Sequence, residues 1–304
     1  MGETFNAEQS HVVATVPVGA DPVGVAVDVH DQVFVTNVGH DTVSVVKSTT
    51  NTVTTTVNVG FRPEGVATDP QFGVFVAGNG GNAVSVIARF NALVATLTID
   101  GPSGPPPDTT RIAVDHLAGR AYVTNRSSDT VSAVHNGGTP FLVPEFQVQG
   151  ALGVAVDPTD HRVYVTQPEA GTVSVIDPAT HGVTGVVPVL QQPTGIAIDA
   201  PRRRAYVADS GSTAVSVIDL TTGGVLHVDV AAHPIAVAVD ARGDAYVSLS
   251  DDTVQVIGAG SHGVVATVPV GSGPSGVAFE PHSKRVYVAN SGDGTLSVID
   301  TAGG

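Results

Sequence analysis

A unit of about forty residues recurs seven times along this chain, and a period of that size admits few folds. Its first motif reads PVGVAVD from Pro22, PEGVATD from Pro63, TTRIAVD from Thr109, ALGVAVD from Ala151, PTGIAID from Pro193, PIAVAVD from Pro234 and PSGVAFE from Pro274. The starts lie 41, 46, 42, 42, 41 and 40 residues apart, room for four short strands and their turns. A second motif follows in every unit, from VFVTN at Val33 to VYVAN at Val286, and a third of the type TVSVI comes six to nine residues later. All are short, β-branched or aromatic, and bounded by Gly, Asp, Asn or Pro, as strands between tight turns are. Helical periodicity is absent. The chain reads as all-β: a seven-bladed β-propeller with four antiparallel strands per blade.

A fourth strand closes each unit, as in NTVTTTVNVG from Asn51 and GVVATVPVG from Gly263, except in the seventh, which stops after TLSVID and TAGG. The counterpart stands at the other end, where HVVATVPVG from His11 to Gly19 nearly repeats Val264 to Gly271. His11 to Val18 is therefore expected to be the outer strand of the last blade, hiding both edges of an otherwise open ring. The predicted blades span about 20–60, 61–101, 102–150, 151–190, 191–230, 231–271, and 272–304 together with 11–19, all within a single domain, 1–304.

Two columns of the alignment call for physical reasons. Ala26, Ala67, Ala113, Ala155, Ala197, Ala238 and Ala278 share one position, expected from crowding where inner strands converge on the axis. Asp28, Asp69, Asp115, Asp157, Asp199, Asp240 and Glu280 share another. They read either as a carboxylate ring for a metal or as hairpin organisers that accept nearby backbone N–H groups. Asp followed by Pro favours the second reading.

The second motif resembles the signature of YVTN-repeat β-propeller proteins: the tetrapeptide stands intact at Tyr122 to Asn125, and nearly so at Val35 to Asn37 and Tyr287 to Asn290. The resemblance covers essentially the whole chain. It implies a propeller fold, and relatives that act as surface or periplasmic binding proteins, while similar propellers include lactonases and lyases. The Trp-Asp signature of WD40 blades is missing, and the chain has no Trp.

With 28 acidic against 13 basic side chains and a net charge of −15, the chain would repel polyphosphate, so nucleic acid is not an expected partner. Cysteine is absent, which removes disulfides, thiolate metal sites and a Cys nucleophile. No apolar run approaches the roughly 18 to 20 residues of a membrane-spanning helix. The opening MGETFNAEQS has neither a basic nor a hydrophobic region of a signal peptide. With Met1 as the native start the expected location is cytoplasmic; with a trimmed signal it is periplasmic or extracellular.

Function on a repeated scaffold is sought where the repeat breaks. Where other units place Gly or Ala at the channel mouth, the third places Arg111. Arg62, Glu64, Asp108, Arg111 and Arg126 come from blades two and three and are expected to share one sector of the rim, with Gln192 and His233 facing them and Glu169 in the next loop. Such a set suits a polar or anionic small molecule, or the charges pair with one another as rim salt bridges. The insertion GPSGPPPDTTR, Gly101 to Arg111, adds either a wall to this sector or a tolerated loop. The TPFLVPEF segment, Thr139 to Phe146, is an irregular outer strand that also suits a protein partner.

The leading expectation is a ligand- or partner-binding propeller with Arg62, Asp108, Arg111, Arg126, Glu169 and Gln192 as ligand-binding residues. The other is a lyase, lactonase or cyclase in which Glu64 and His233 serve as base and acid and Arg111 with Arg62 stabilises an oxyanion. No GxSxG, HExxH or phosphate-loop motif is present. No cofactor is identified and no metal site is assigned, the histidines being dispersed over different blades; a divalent cation stays open as an inorganic ligand.

Overall fold

The computed structural model describes residues 10–78, 83–99, 109–135, 141–180 and 182–301. Among the described residues, 28 strands form seven four-stranded antiparallel sheets. Six sheets take consecutive strands, spanning 22–58, 63–98, 109–147, 154–188, 193–229 and 234–269. The seventh combines His11–Pro17 with Pro274–Glu280, Arg285–Asn290 and Thr295–Asp300. His11–Pro17 pairs antiparallel with Thr295–Asp300, so the N-terminal strand completes the last blade. Among the described residues no helix is long and apolar enough to cross a membrane.

The apolar residues gather into seven clusters, one in each seam between neighbouring blades. Strand alternation accounts for this. In blade one, Val33 and Val35 pack toward blade seven with Tyr287 and Val298, whereas Phe34 between them packs toward blade two with Val74 and Val76. Both faces of the middle strands are covered, which is why VFVTN and its repeats read as unbroken apolar runs.

The alanine column has a different cause from the one its position suggests. Each Ala stands directly across from the aromatic residue of the next strand, as Ala26 from Phe34 and Ala197 from Tyr206, where a larger side chain would compete with the ring. Crowding at the axis falls on the glycine column two residues earlier. A Cβ at Gly65 would lie 2.9 Å from Arg111 Cα, and one at Gly195 would lie 2.8 Å from Ala236 Cα. Blade four shares this crowding although its inner strand is only Val154–Val156, since a Cβ at Gly153 would fall on the Thr194 carbonyl oxygen.

The carboxylate column works as hairpin caps. Asp69 Oδ1 accepts the Gln71 and Phe72 amides at 2.7 and 3.1 Å, and Asp115 Oδ1 accepts those of Leu117 and Ala118 at 3.1 and 3.0 Å. The Asn of the second motif ties the third strand at the opposite face. Asn37 Nδ2 donates to Thr42 and Ser44 at 3.0 and 2.9 Å, and Asn290 does the same with Thr295 and Ser297 at 2.9 Å each. This accounts for the Thr and Ser that recur in the third motif.

Candidate functional site: the channel mouth

Inner strands enter the axis through a register shift just after the Pro column, as between Pro22 and Val25 or Pro193 and Ile196. Such bulges free backbone groups that the ladder would otherwise use. In six of the seven seams a hydroxyl takes them up. Thr36 Oγ1 accepts from Gly24 N at 2.7 Å and donates to the Glu64 carbonyl of the next blade at 3.0 Å. Thr124, Thr166 and Ser248 reach the Leu152, Thr194 and Ser275 carbonyls in the same way, at 2.7, 2.9 and 2.7 Å.

In blades five and seven the second motif carries Ala208 and Ala289 there, and the hydroxyl comes from the inner strand instead. Thr194 Oγ1 donates to the Ile235 carbonyl at 2.9 Å, and Ser275 Oγ to the Val23 carbonyl at 3.2 Å. Blade two has neither source, since Ala77 lacks a hydroxyl and Glu64 stands where Thr194 and Ser275 stand. Its seam with blade three is bridged by an ion pair, Arg111 Nη1 to Glu64 Oε2, at 3.1 Å.

The two side chains line a channel cavity of about 240 Å³, to which all seven inner strands contribute. Its remaining wall is glycine backbone and aliphatic side chains such as Val66, Ile112, Leu152 and Ile196, with Thr194 and Ser275 as the hydroxyls. Glu64 is 18% exposed and Arg111 41%. Nη1 of Arg111 also donates to the Thr110 carbonyl at 3.1 Å, and among the described residues its Nη2 and Nε have no partner.

A second space adjoins the first. A groove of about 840 Å³ crosses the rim of blades three to five and holds Arg126, Glu169 and Gln192 together with Gln191 and Ser210. Leu152 and Thr194 line both spaces, so the groove opens toward the channel. Arg126 Nη2 stands 3.6 Å from Glu169 Oε1, and both side chains are well exposed, at 47% and 75%. Such a pair contributes at most about 1 kcal/mol.

The sequence-derived set thus divides. Glu64 and Arg111 meet in the channel, and Arg126, Glu169 and Gln192 meet in the groove. Arg62 and His233 line neither space. Arg62 is exposed in a left-handed turn with φ 49°, its amide held by Asp41 Oδ1 at 2.8 Å. His233 is an exposed rim residue whose Nδ1 lies 3.0 Å from the Ser212 carbonyl. Asp108 and most of the 101–111 insertion lie outside the described residues. Comparison within a single column does not single out Thr194 and Ser275. Their signal is a coincidence between two columns: a hydroxyl follows Pro in blades five and seven, where the second motif has lost its own.

No family model matches this chain, and no curated protein matches it. Solved structures do. A chain of hydrazine synthase from Kuenenia stuttgartiensis is 19% identical, with 91% of this chain and 95% of that one covered at a TM-score of 0.78. A streptogramin B lyase gives 14% identity, 92% and 93% coverage and 0.78. A catalytically inactive virginiamycin B lyase from Staphylococcus aureus with quinupristin gives 14%, 94% and 98%, and 0.80. The likeness is one of fold.

Proposed function

We propose that this propeller binds a small anionic molecule with an apolar body at the channel mouth, its carboxylate or phosphate on Arg111 and its apolar part against the aliphatic wall. The observation that carries the reading is the seam between blades two and three. Six seams use a hydroxyl that is consumed in holding blades together; this one places a guanidinium on the cavity lining, where low local dielectric strengthens an ionic contact. The adjoining groove supplies Arg126, Gln191 and Gln192 for a longer ligand. Two neighbours in fold are named as lyases, one of them solved with quinupristin, which supports small-molecule binding on such a scaffold and not a particular chemistry. The YVTN-repeat resemblance points the same way, since the Thr and Asn of its tetrapeptide have defined architectural tasks here and leave function to the departures.

A second reading, an enzyme of lyase, lactonase or cyclase type, has one observation on its side: the Glu64 carboxylate lines the same cavity and is the natural base. His233 is not beside it to serve as acid.

The test is a thermal-shift screen of wild type and Arg111→Gly against small carboxylates, sugar phosphates and lactones, with product analysis for each hit. A true ligand at tenfold its dissociation constant stabilises the wild type by about 1.4 kcal/mol and leaves the variant unmoved. Equal shifts in both proteins, or none in either, sink the proposal; a consumed lactone would move it to the enzyme reading.

A further inference from the structure

The face opposite the channel mouth carries a side-chain cluster that none of the architecture above requires. In the seam between blades seven and one, the first hairpin of blade seven supplies Glu280 and His282, and that of blade one supplies Asp31. His282 Nδ1 lies 3.1 Å from Asp31 Oδ1 and 3.3 Å from Glu280 Oε1. One ligand atom from each of the three residues falls within 4.8 Å of the others. Donors sharing an ion at bond lengths near 2.1 Å, with angles between square and tetrahedral, stand about 3.0 to 3.4 Å apart. The two nitrogen-to-oxygen separations fall in that window before any ion is added.

Among the described residues such a group arises once. Six blades have Asp at the capping position, and among the described residues none of them forms a comparable group of three. Glu280 still caps its hairpin, accepting the His282 and Ser283 amides at 2.7 and 2.6 Å, and its side chain is fully buried. Asp115 likewise meets a histidine, His161 Nδ1, at 2.7 Å, but among the described residues no third ligand joins that pair, whereas Asp31 joins Glu280 and His282 here.

Charge points the same way. At the seam between blades four and five, Arg203 answers both Asp157 and Asp160. At the seam between seven and one, two carboxylates from opposing blades face a single imidazole. Two of the neighbouring cations are engaged with backbone: Lys47 Nζ donates to the His30 carbonyl and Arg285 Nη1 to the Ser48 carbonyl, each at 3.1 Å. Two carboxylates and one imidazole neutralise a divalent ion, and a mixed nitrogen and oxygen set favours the first transition row over calcium or magnesium.

We propose that Asp31, Glu280 and His282 form a binding site for a divalent transition cation, Zn²⁺ being the best match, with water completing the shell on the exposed side of His282. The ion ties blade seven to blade one on the face away from the channel mouth. Dispersal of the histidines over different blades is no obstacle, since the site needs only one histidine and two hairpins supply the oxygens.

The experiment is calorimetric titration of the chelator-stripped full chain with Zn²⁺ alone, paired with melting curves. Wild type is expected to bind one equivalent and melt several degrees higher. Glu280→Asp restores the cap used by six blades, and Asp31→Asn keeps a residue that tolerates the left-handed φ of 61°, so both should fold. Each should bind Zn²⁺ at least tenfold more weakly, as should His282→Gln. Wild type that takes up no Zn²⁺, or variants that bind it as tightly, would overturn the proposal.

Discussion

The seam between blades four and five and the seam between blades two and three are built from equivalent strands and locked by different chemistry. In the first, Thr166 Oγ1 sits between Gly153 N at 2.7 Å and the Thr194 carbonyl at 2.9 Å, so one neutral hydroxyl satisfies groups from both blades. In the second, Glu64 and Arg111 reach across with full charges, and 41% of the arginine remains exposed. The hydroxyl is spent on architecture. The ion pair places a cation on the lining of a largely aliphatic cavity, and among the described lining residues Arg111 is the one cation. A repeat protein can thus change the chemistry of one seam through two residues in register without disturbing the ring.

The largest effect should come from attacking a seam that no lock of either kind can rescue. Removal of residues 1–20 takes away His11–Pro17 and with it Val16 from the seam between blades seven and one. Cooperative thermal unfolding by circular dichroism is expected to disappear; a truncated chain with an unchanged melting profile would show that closure by this strand is dispensable.

Blade five offers a further contrast, between Asp209 and the Asn of blades one, three and seven. Asp209 is fully buried and accepts from Ser216 Oγ at 2.6 Å, while its Oδ1 lacks a partner. Burial pushes its pKa up from 3.8 to about 6, against the opposing hydrogen bonds from Ser216. Because the folded value is the higher, the folded state holds the proton longer than the unfolded one. Stability from this group is present below the unfolded pKa and is lost as pH rises through about 6. At neutral pH the loss amounts to at most about 3 kcal/mol. Asp209→Asn should therefore be more stable than wild type, with a gap that widens by about 1 kcal/mol between pH 5 and pH 7.5 in urea titrations. A gap independent of pH would mean that the carboxyl does not titrate in this range.

Thr166→Val should cost about 1 to 3 kcal/mol, because it leaves a buried amide and a carbonyl without their shared partner. The smallest effect is expected from Glu64→Thr with Arg111→Gly, which converts the charged seam to the pattern of blade five. Stability should stay within about 1 kcal/mol of wild type while anion binding at the mouth is lost. If the double variant unfolds, the ion pair is a lock after all, and the contrast between the two seams is one of means only.

The fold was legible because a forty-residue period, the Pro column and the displaced outer strand each constrain the same ring. Within one blade the spacing of the motifs also sets the pairing, as Ala26 opposite Phe34 illustrates. The site was legible only in part. Arg111 stands out in its column, but its partner Glu64 is two residues after a different turn and 47 residues earlier. His233 and Arg62 share a column with Gln192, yet only Gln192 reaches the groove, because that depends on how the rim turn aims the side chain and not on position in the repeat. The hydroxyl exchange between Ala208 and Thr194 crosses strands, and the cluster of Asp31, Glu280 and His282 crosses blades. Contacts between repeats are the part of the structure that a column alone does not display.

Closure by His11–Pro17 also orders events in time. Its partner Thr295–Asp300 lies almost 280 residues further along, which at roughly 5 to 20 residues per second is a delay on the order of 15 to 60 s on the ribosome. For that interval the strand made first has nothing to pair with, and six finished blades wait for a seventh. The clasp of the ring is the first of its strands to be made and the last to find its partner, so a nascent chain depends on keeping Val12, Ala14 and Val16 from other unpaired edges until Thr295–Asp300 has emerged.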